Sequence, residues 1–118
     1  MSAVAYKLVD RAEWTAALAA GAYAGSAVDR ADGYIHMSTA DQLAETARRH
    51  YAGQDDLVLV EVDLAPLGEA LKWEASRGGD LFPHLFAHLP ARIDAPQRPL
   101  SVDAEGVMRF EDGTVGWP

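Results

Sequence analysis

The sequence predicts an α+β fold, with two helices early in the chain and a largely antiparallel or mixed sheet built mostly from later strands. Three observations predict it. Asp10 with Glu13, and Thr39 with Gln42, have the spacing of helix starts in which a capping residue and the residue three further on satisfy each other's backbone amides. Most runs of strand character lie from Leu57 onward. The regular strand-helix-strand alternation of a doubly wound sheet is missing.

The elements follow in order. Residues 4 to 8 read as a first strand, and Trp14, Ala17 and Leu18 then recur at helical steps until Gly21, which suits a left-handed helix end. Residues 21 to 33 are rich in Gly, Ala, Ser and Asp without a period and are expected to form a loop. In Tyr34-Ile35-His36-Met37-Ser38 the alternation sends Ile35 and Met37 to the core and leaves Tyr34, His36 and Ser38 on the other face. Leu43, Ala47 and Tyr51 continue the stripe of the second helix, which stops by Gly53.

Leu57 to Leu64 opens as a continuous apolar run, the pattern of a strand buried on both faces. Leu71, Trp73 and Ala75 alternate with Lys72 and Glu74. Leu81 to Phe86 reads as a strand confined to an edge or bulge, because Pro83 donates nothing to a ladder. Leu100–Val102 and Val107–Phe110 form a hairpin around Ala104-Glu105-Gly106, followed by a turn at Asp112-Gly113.

Composition sets the outer limits on function. The 118 residues carry no cysteine, which excludes disulfides, thiolate metal sites and cysteine nucleophiles. The length predicts one domain over residues 1 to 118. Ten Lys and Arg against eighteen Asp and Glu give a net charge of -8, the wrong sign for a nucleic-acid partner held by phosphate contacts. No stretch has the length or apolarity of a membrane span or of a signal segment, so a cytoplasmic location without a membrane partner is expected. Nothing in the sequence speaks to an oligomeric state. Dinucleotide and phosphate loops, the zinc-protease motif and the serine-hydrolase elbow are all missing.

The remaining chemistry lies in three short runs. His36, Glu74 and His84 each sit in or beside a predicted strand, accompanied by Tyr34, Trp73, Phe82 and Phe86. Two imidazoles and a carboxylate with aromatic walls suit a small-molecule ligand and proton transfer. His36 ranks first, because its strand runs into a helix N-terminus beside Ser38 and Thr39, although both hydroxyl residues also have a sufficient reading as helix caps. Glu74 falls on the polar face of its strand, where a solvated role competes with a catalytic one. For His84 packing competes with catalysis. Trp14 and Trp73 read first as core aromatics, while His50 and His88 read as surface or flanking residues. The histidine spacings are not those of a metal site, so none is assigned.

Asp32 to Thr39, Leu71 to Glu74 and Phe82 to Phe86 together resemble the DUF952 family of small bacterial proteins, in a likeness that runs from Tyr6 to about Gly113. That family is in turn similar in fold to the ADP-ribosyltransferases, which bind NAD in the cleft of a split sheet, and the resemblance implies the same split, mixed or antiparallel sheet here. The resemblance implies NAD or a nucleotide sugar as substrate, with glycosidic cleavage or ADP-ribosyl transfer. On that basis His36 orients the ribose, Tyr34 or Phe82 stacks on the base, and Glu74 stabilises the developing oxocarbenium ion. No cofactor is assigned. Two other readings stand beside it: a non-catalytic module for a small metabolite, and a cofactor-free hydrolase using His36 and His84 as acid and base. An interaction domain would instead show a flat apolar patch over Phe82 to Leu89.

Overall fold

The computed structural model describes residues 3–117. The fold is α+β, and every strand pair among the described residues is antiparallel. Strand β1 (Val4–Asp10) leads into helix α1 (Arg11–Ala20), whose start is capped by Asp10 accepting from the Glu13 amide at 3.1 Å and whose end is Gly21 in the left-handed conformation. The expected loop over residues 21 to 33 is instead strand β2 (Ala22–Tyr23) and helix α2 (Ala27–Asp32). Ser26 and Asp29 close a capping box at the start of α2, and that local hydrogen bonding orders a segment without hydrophobic period. The early helices are thus three.

Strand β3 (Ile35–His36) and helix α3 (Ala40–His50) follow. Gln42 accepts from the Thr39 amide at 3.0 Å, as the spacing of the two residues requires. Strand β4 (Leu57–Asp63) is buried over its first four residues on both faces. Strands β5 (Leu71–Ala75), β6 (Leu81–Leu85), β7 (Leu89–Pro90), β8 (Gln97–Val102) and β9 (Met108–Phe110) complete the chain.

The strands divide into a four-stranded sheet of order β1-β4-β8-β9, a three-stranded sheet of order β3-β6-β5, and the short pair β2-β7. One face of the four-stranded sheet packs Ala5, Val9, Val58 and Val60 against Trp14, Ile35, Met37 and Leu85. The other packs Leu8, Leu57, Leu59, Leu100 and Val102 against Leu43 and Ala47 of α3. Trp14 is buried as expected, its indole donating to Gln97 at 2.6 Å.

Proline placement explains the split. Strand β6 lies between β3 and β5, so the sequence-based assignment of an edge or bulge is corrected. The Pro83 carbonyl accepts from Met37 N at 3.1 Å, but its ring nitrogen has no proton to return, and β3 leaves the ladder after His36. Ser38 then exchanges both backbone hydrogen bonds with Tyr6 of β1, at 2.7 and 3.0 Å. Residues 35 to 38 therefore bridge the two sheets, and His36 stands at the crossing.

The β8–β9 hairpin packs its turn onto α3 through Gly106, which has φ +84° and whose missing Cβ would lie 2.6 Å from the Arg48 Cα. Neither the dihedral nor the backbone contact admits a side chain. Gly106→Ala is therefore expected to destabilise the protein by about 2 kcal/mol in a denaturant titration, while Gly113→Ala, at φ +96° but with open space around it, shows only the smaller dihedral cost.

Candidate functional site

The site begins with an unusual core position. Lys7 alternates on β1 with Ala5 and Val9, so its side chain enters the apolar face of the four-stranded sheet and is 4% exposed. A buried ammonium needs a partner. Asp29 of α2, itself buried, supplies it: Lys7 Nζ lies 3.1 Å from Oδ1 and 3.0 Å from Oδ2. The same carboxylate accepts from the amides of Ser26 at 2.9 Å and His36 at 3.1 Å, and lies 2.6 Å from His36 Nδ1.

Burial alone would raise the Asp29 carboxyl. The His36 ring, the Lys7 ammonium and the two backbone amides outweigh it and hold the carboxyl well below the usual carboxylate range. Burial pushes the Lys7 ammonium down, and Asp29 only partly restores it. The approach of α2 to β3 is tight at Gly25, where a Cβ would meet Asp29 Cβ at 2.8 Å and Ile35 at 3.3 Å.

A second carboxylate–imidazole pair stands opposite. His36 and His84 are direct partners across β3 and β6, and their rings are 5.5 Å apart in an edge arrangement. His84 is buried, with Nδ1 2.8 Å from Glu74 Oε1, which lies beside it on β5. Tyr34 stacks on His84 at 4.2 Å and leans on His36 at 4.6 Å and on Phe86 at 5.1 Å. Burial, with the Asp32, Glu74 and Asp29 carboxylates, pushes the Tyr34 phenol up, so the ring serves as a neutral wall. The other ring nitrogen of His36 meets Asp32 Oδ2 at 2.9 Å.

A cavity of about 590 Å³, within the usual range for small-molecule sites, opens beside these pairs. His36, His84, Ser38 and Phe82 line it, together with Lys7, Asp29, Asp32, Thr46, Tyr51 and Ser76. The Ser38 and Thr46 hydroxyls are 2.8 Å apart. Burial and the Asp29 and Glu13 carboxylates push Tyr51 up to about 12. Among the described residues no group of three His, Asp or Glu is arranged to hold a metal ion, and no helix is long and apolar enough to cross a membrane.

The DUF952 model, described as a protein of unknown function, matches residues 8–93. The chain belongs to the DUF952 family. The crystal structure of protein CC0527 from Caulobacter crescentus is similar to it at 50% sequence identity and a TM-score of 0.83, over 90% of this chain and 93% of that one. The crystal structure of a double mutant of CC0527 matches at 48% identity and a TM-score of 0.82, again over 90% of this chain and 93% of that one. The solution NMR structure of CC0527 matches at 51% identity and a TM-score of 0.74, over 87% of this chain and 89% of that one. No protein of curated function matches.

Within this DUF952 chain the residues singled out from sequence divide into three groups. His36, His84, Ser38 and Phe82 share the cavity, with Tyr34 and Glu74 touching the histidines from behind. Thr39 takes part in the α3 cap. Trp73 is set apart: it pairs with Pro83 on the opposite face of its sheet and is 45% exposed, so it is neither a core residue nor a neighbour of the histidines. Over Phe82 to Leu89, where an interaction domain would show its apolar patch, Phe82, Leu85 and Leu89 are buried, and Phe86, 41% exposed, lies against Tyr34 and beneath Lys72. Lys7, Asp29 and Asp32 escape the sequence reading. Their signals are nonetheless present: a lysine in phase with Ala5 and Val9, and the Ser26-x-x-Asp29 capping spacing.

Removing the Lys7 ammonium leaves Asp29 buried with less compensation, and Lys7→Met is expected to lose about 3 kcal/mol in a chemical denaturation experiment. Since the folded Asp29 carboxyl lies below its unfolded value of 3.8, its contribution is complete above that value and drains away as pH falls further. Asp29→Asn should be less stable than the parent at about pH 7 and lose less stability between about pH 4 and about pH 2, the range in which the unfolded parent's carboxyl takes up a proton that the folded carboxylate does not.

Proposed function

We propose that the chain is an enzyme acting on a small polar metabolite, with His36 and His84 as its proton-transfer pair and Asp29 and Glu74 as the carboxylates that orient them. The observation that carries this reading is the opposed register of two histidines whose Nδ1 atoms each contact a carboxylate, at 2.6 and 2.8 Å. A carboxylate at Nδ1 sets the ring's orientation and leaves proton exchange to Nε2. Two such rings beside one cavity can divide the work, one removing a proton from an attacking hydroxyl or water and the other delivering one to the leaving group. Neither step calls for a cofactor.

A second reading names NAD or a nucleotide sugar as the substrate, with glycosidic cleavage or ADP-ribosyl transfer. It is supported by a cavity at the junction of two sheets with Phe82 in its wall, together with the resemblance to ADP-ribosyltransferases. There His36 bonds the ribose, and Glu74 acts on the developing cation either directly or through His84. A non-catalytic metabolite-binding module would use the same pocket without turnover.

Calorimetric titration of NAD and ADP-ribose, with free nicotinamide measured in the same samples, tests the substrate class. Binding lost in His36→Ala, with nicotinamide released only by the parent, is the expected result for NAD chemistry; saturation without product identifies a binder. If neither ligand binds, a panel of phosphoester, acyl-ester and glycoside substrates addresses the acid–base reading directly. On the responsive substrate kcat/KM should be bell-shaped in pH, and His36→Ala and His84→Ala should each lower it by about 100-fold or more and each remove one limb. A profile unchanged by both substitutions would overturn the assignment.

A further inference from the structure

We infer that the free edge of strand β5 pairs antiparallel with the same edge of a second copy of this chain, in the register that sets Trp73 opposite Trp73 of the partner subunit. Strand β5 ends the three-stranded sheet, so its ladder runs along β6 on one side only. The direction of its backbone groups follows from Pro83. The Pro83 carbonyl turns toward β3, where it accepts from Met37 N, and the Ala70 carbonyl just before β5 accepts from Phe86 N. Trp73, which faces Pro83 across the ladder, therefore belongs to a pair that exchanges no hydrogen bonds, and its own N–H and C=O point out of the sheet. The Leu71 C=O and the Ala75 N–H, two residues away on either side, point the same way. A row of outward backbone groups is a template for a further strand.

The side chains of β5 select which strand that is. Leu71-Lys72-Trp73-Glu74-Ala75 is self-complementary when set against itself in the opposite direction. With Trp73 on the two-fold axis, its N–H and C=O bond reciprocally to Trp73 of the partner subunit, and the Ala75 N–H meets the carbonyl of the partner's Leu71. Lys72 then stands opposite the partner's Glu74, and Glu74 opposite the partner's Lys72, in the pairs whose side chains lie closest. Moving the axis to Lys72 or to Glu74 would put two lysines or two glutamates directly opposite, so charge disfavours both neighbouring registers. The apolar groups fit the same arrangement. On the face away from the histidines Trp73 is 45% and Leu81 55% exposed, with the exposed Ala75 joining them. Pairing lays Trp73 beside Trp73 of the partner subunit and the partner's Leu71 beside Ala75, which withdraws this strip from water. On the other face the partner's Lys72 comes up to Glu74, which is 43% exposed and holds His84 through one oxygen, so association adds a positive charge behind that imidazole.

Sedimentation equilibrium from about 1 to about 100 µM measures the association, and the parent should reach the mass of two chains. Lys72→Glu and Glu74→Lys each set like charges opposite at both pairs and should each weaken association by about 10-fold or more. An equimolar mixture of the two variants should recover the parent's affinity, because each then faces the opposite charge. Trp73→Pro removes an N–H that β6 does not use, so its far-UV circular dichroism should match the parent's while it sediments as one chain at every concentration. A parent that stays a single chain throughout would overturn the inference and leave the edge to an extended segment of a different protein. Parent-like affinity in Lys72→Glu or in Trp73→Pro, or single charge variants that the mixture does not restore, would equally overturn it. If Glu74→Lys fails to fold, Lys72→Glu and Trp73→Pro decide the outcome between them. None of these readouts involves turnover, so the pairing and the catalytic reading stand or fall separately.

Discussion

The ion pair between Lys7 and Asp29 is the constraint on which the site depends. A lysine on the apolar face of β1 is unfavourable unless a carboxylate reaches it, and α2 is the element that brings one. Once Asp29 is committed to Lys7, its remaining accepting capacity meets the backbone and ring of His36. A stabilising contact and an orienting contact are thus made by one buried group. The short helix buries no apolar side chain, with Asp29 its one buried residue, so the polar network does what a hydrophobic stripe does for α3.

The second constraint is backbone topology. A strand that stayed in register along β6 would carry residues 35 to 38 into a single sheet. Pro83 interrupts that ladder from one side, and the free edge of β1 receives Ser38 from the other. The crossing opens a cavity and sets His36 at its rim, opposite His84. Tyr34 fills the space behind both rings and resists their rotation through stacking.

Much of this is legible in the residues. The α1 and α3 starts, the Gly21 stop, the two-sided burial of β4, the β8–β9 hairpin and the inward facing of Ile35 and Met37 follow from local hydrogen bonding and periodicity, which act over a few residues. His36 and His84 can be singled out because polar titratable groups in apolar runs are uncommon. The central place of β6 is not legible, because the proline rule concerns one lost donor, and a neighbour that itself leaves the ladder removes the conflict. Trp73 misleads because alternation identifies which residues share a face without saying whether anything covers it. The segment over 21 to 33 misleads because its order comes from the capping pair within it, and hydrophobic period carries no trace of that pair.

The sequence by itself determined the α+β class, the exclusion of cysteine chemistry and the local frames of the helices, all of which depend on composition or on contacts within one turn or one strand. The tertiary structure decided the site. Lys7, Asp29, His36, Glu74 and His84 come from five separate elements, and their distances exist only after two sheets have crossed. Charge pairing carries no period along the chain. It is dictated by burial, because an ion inside an apolar core must find its counter-charge wherever the fold brings one within reach.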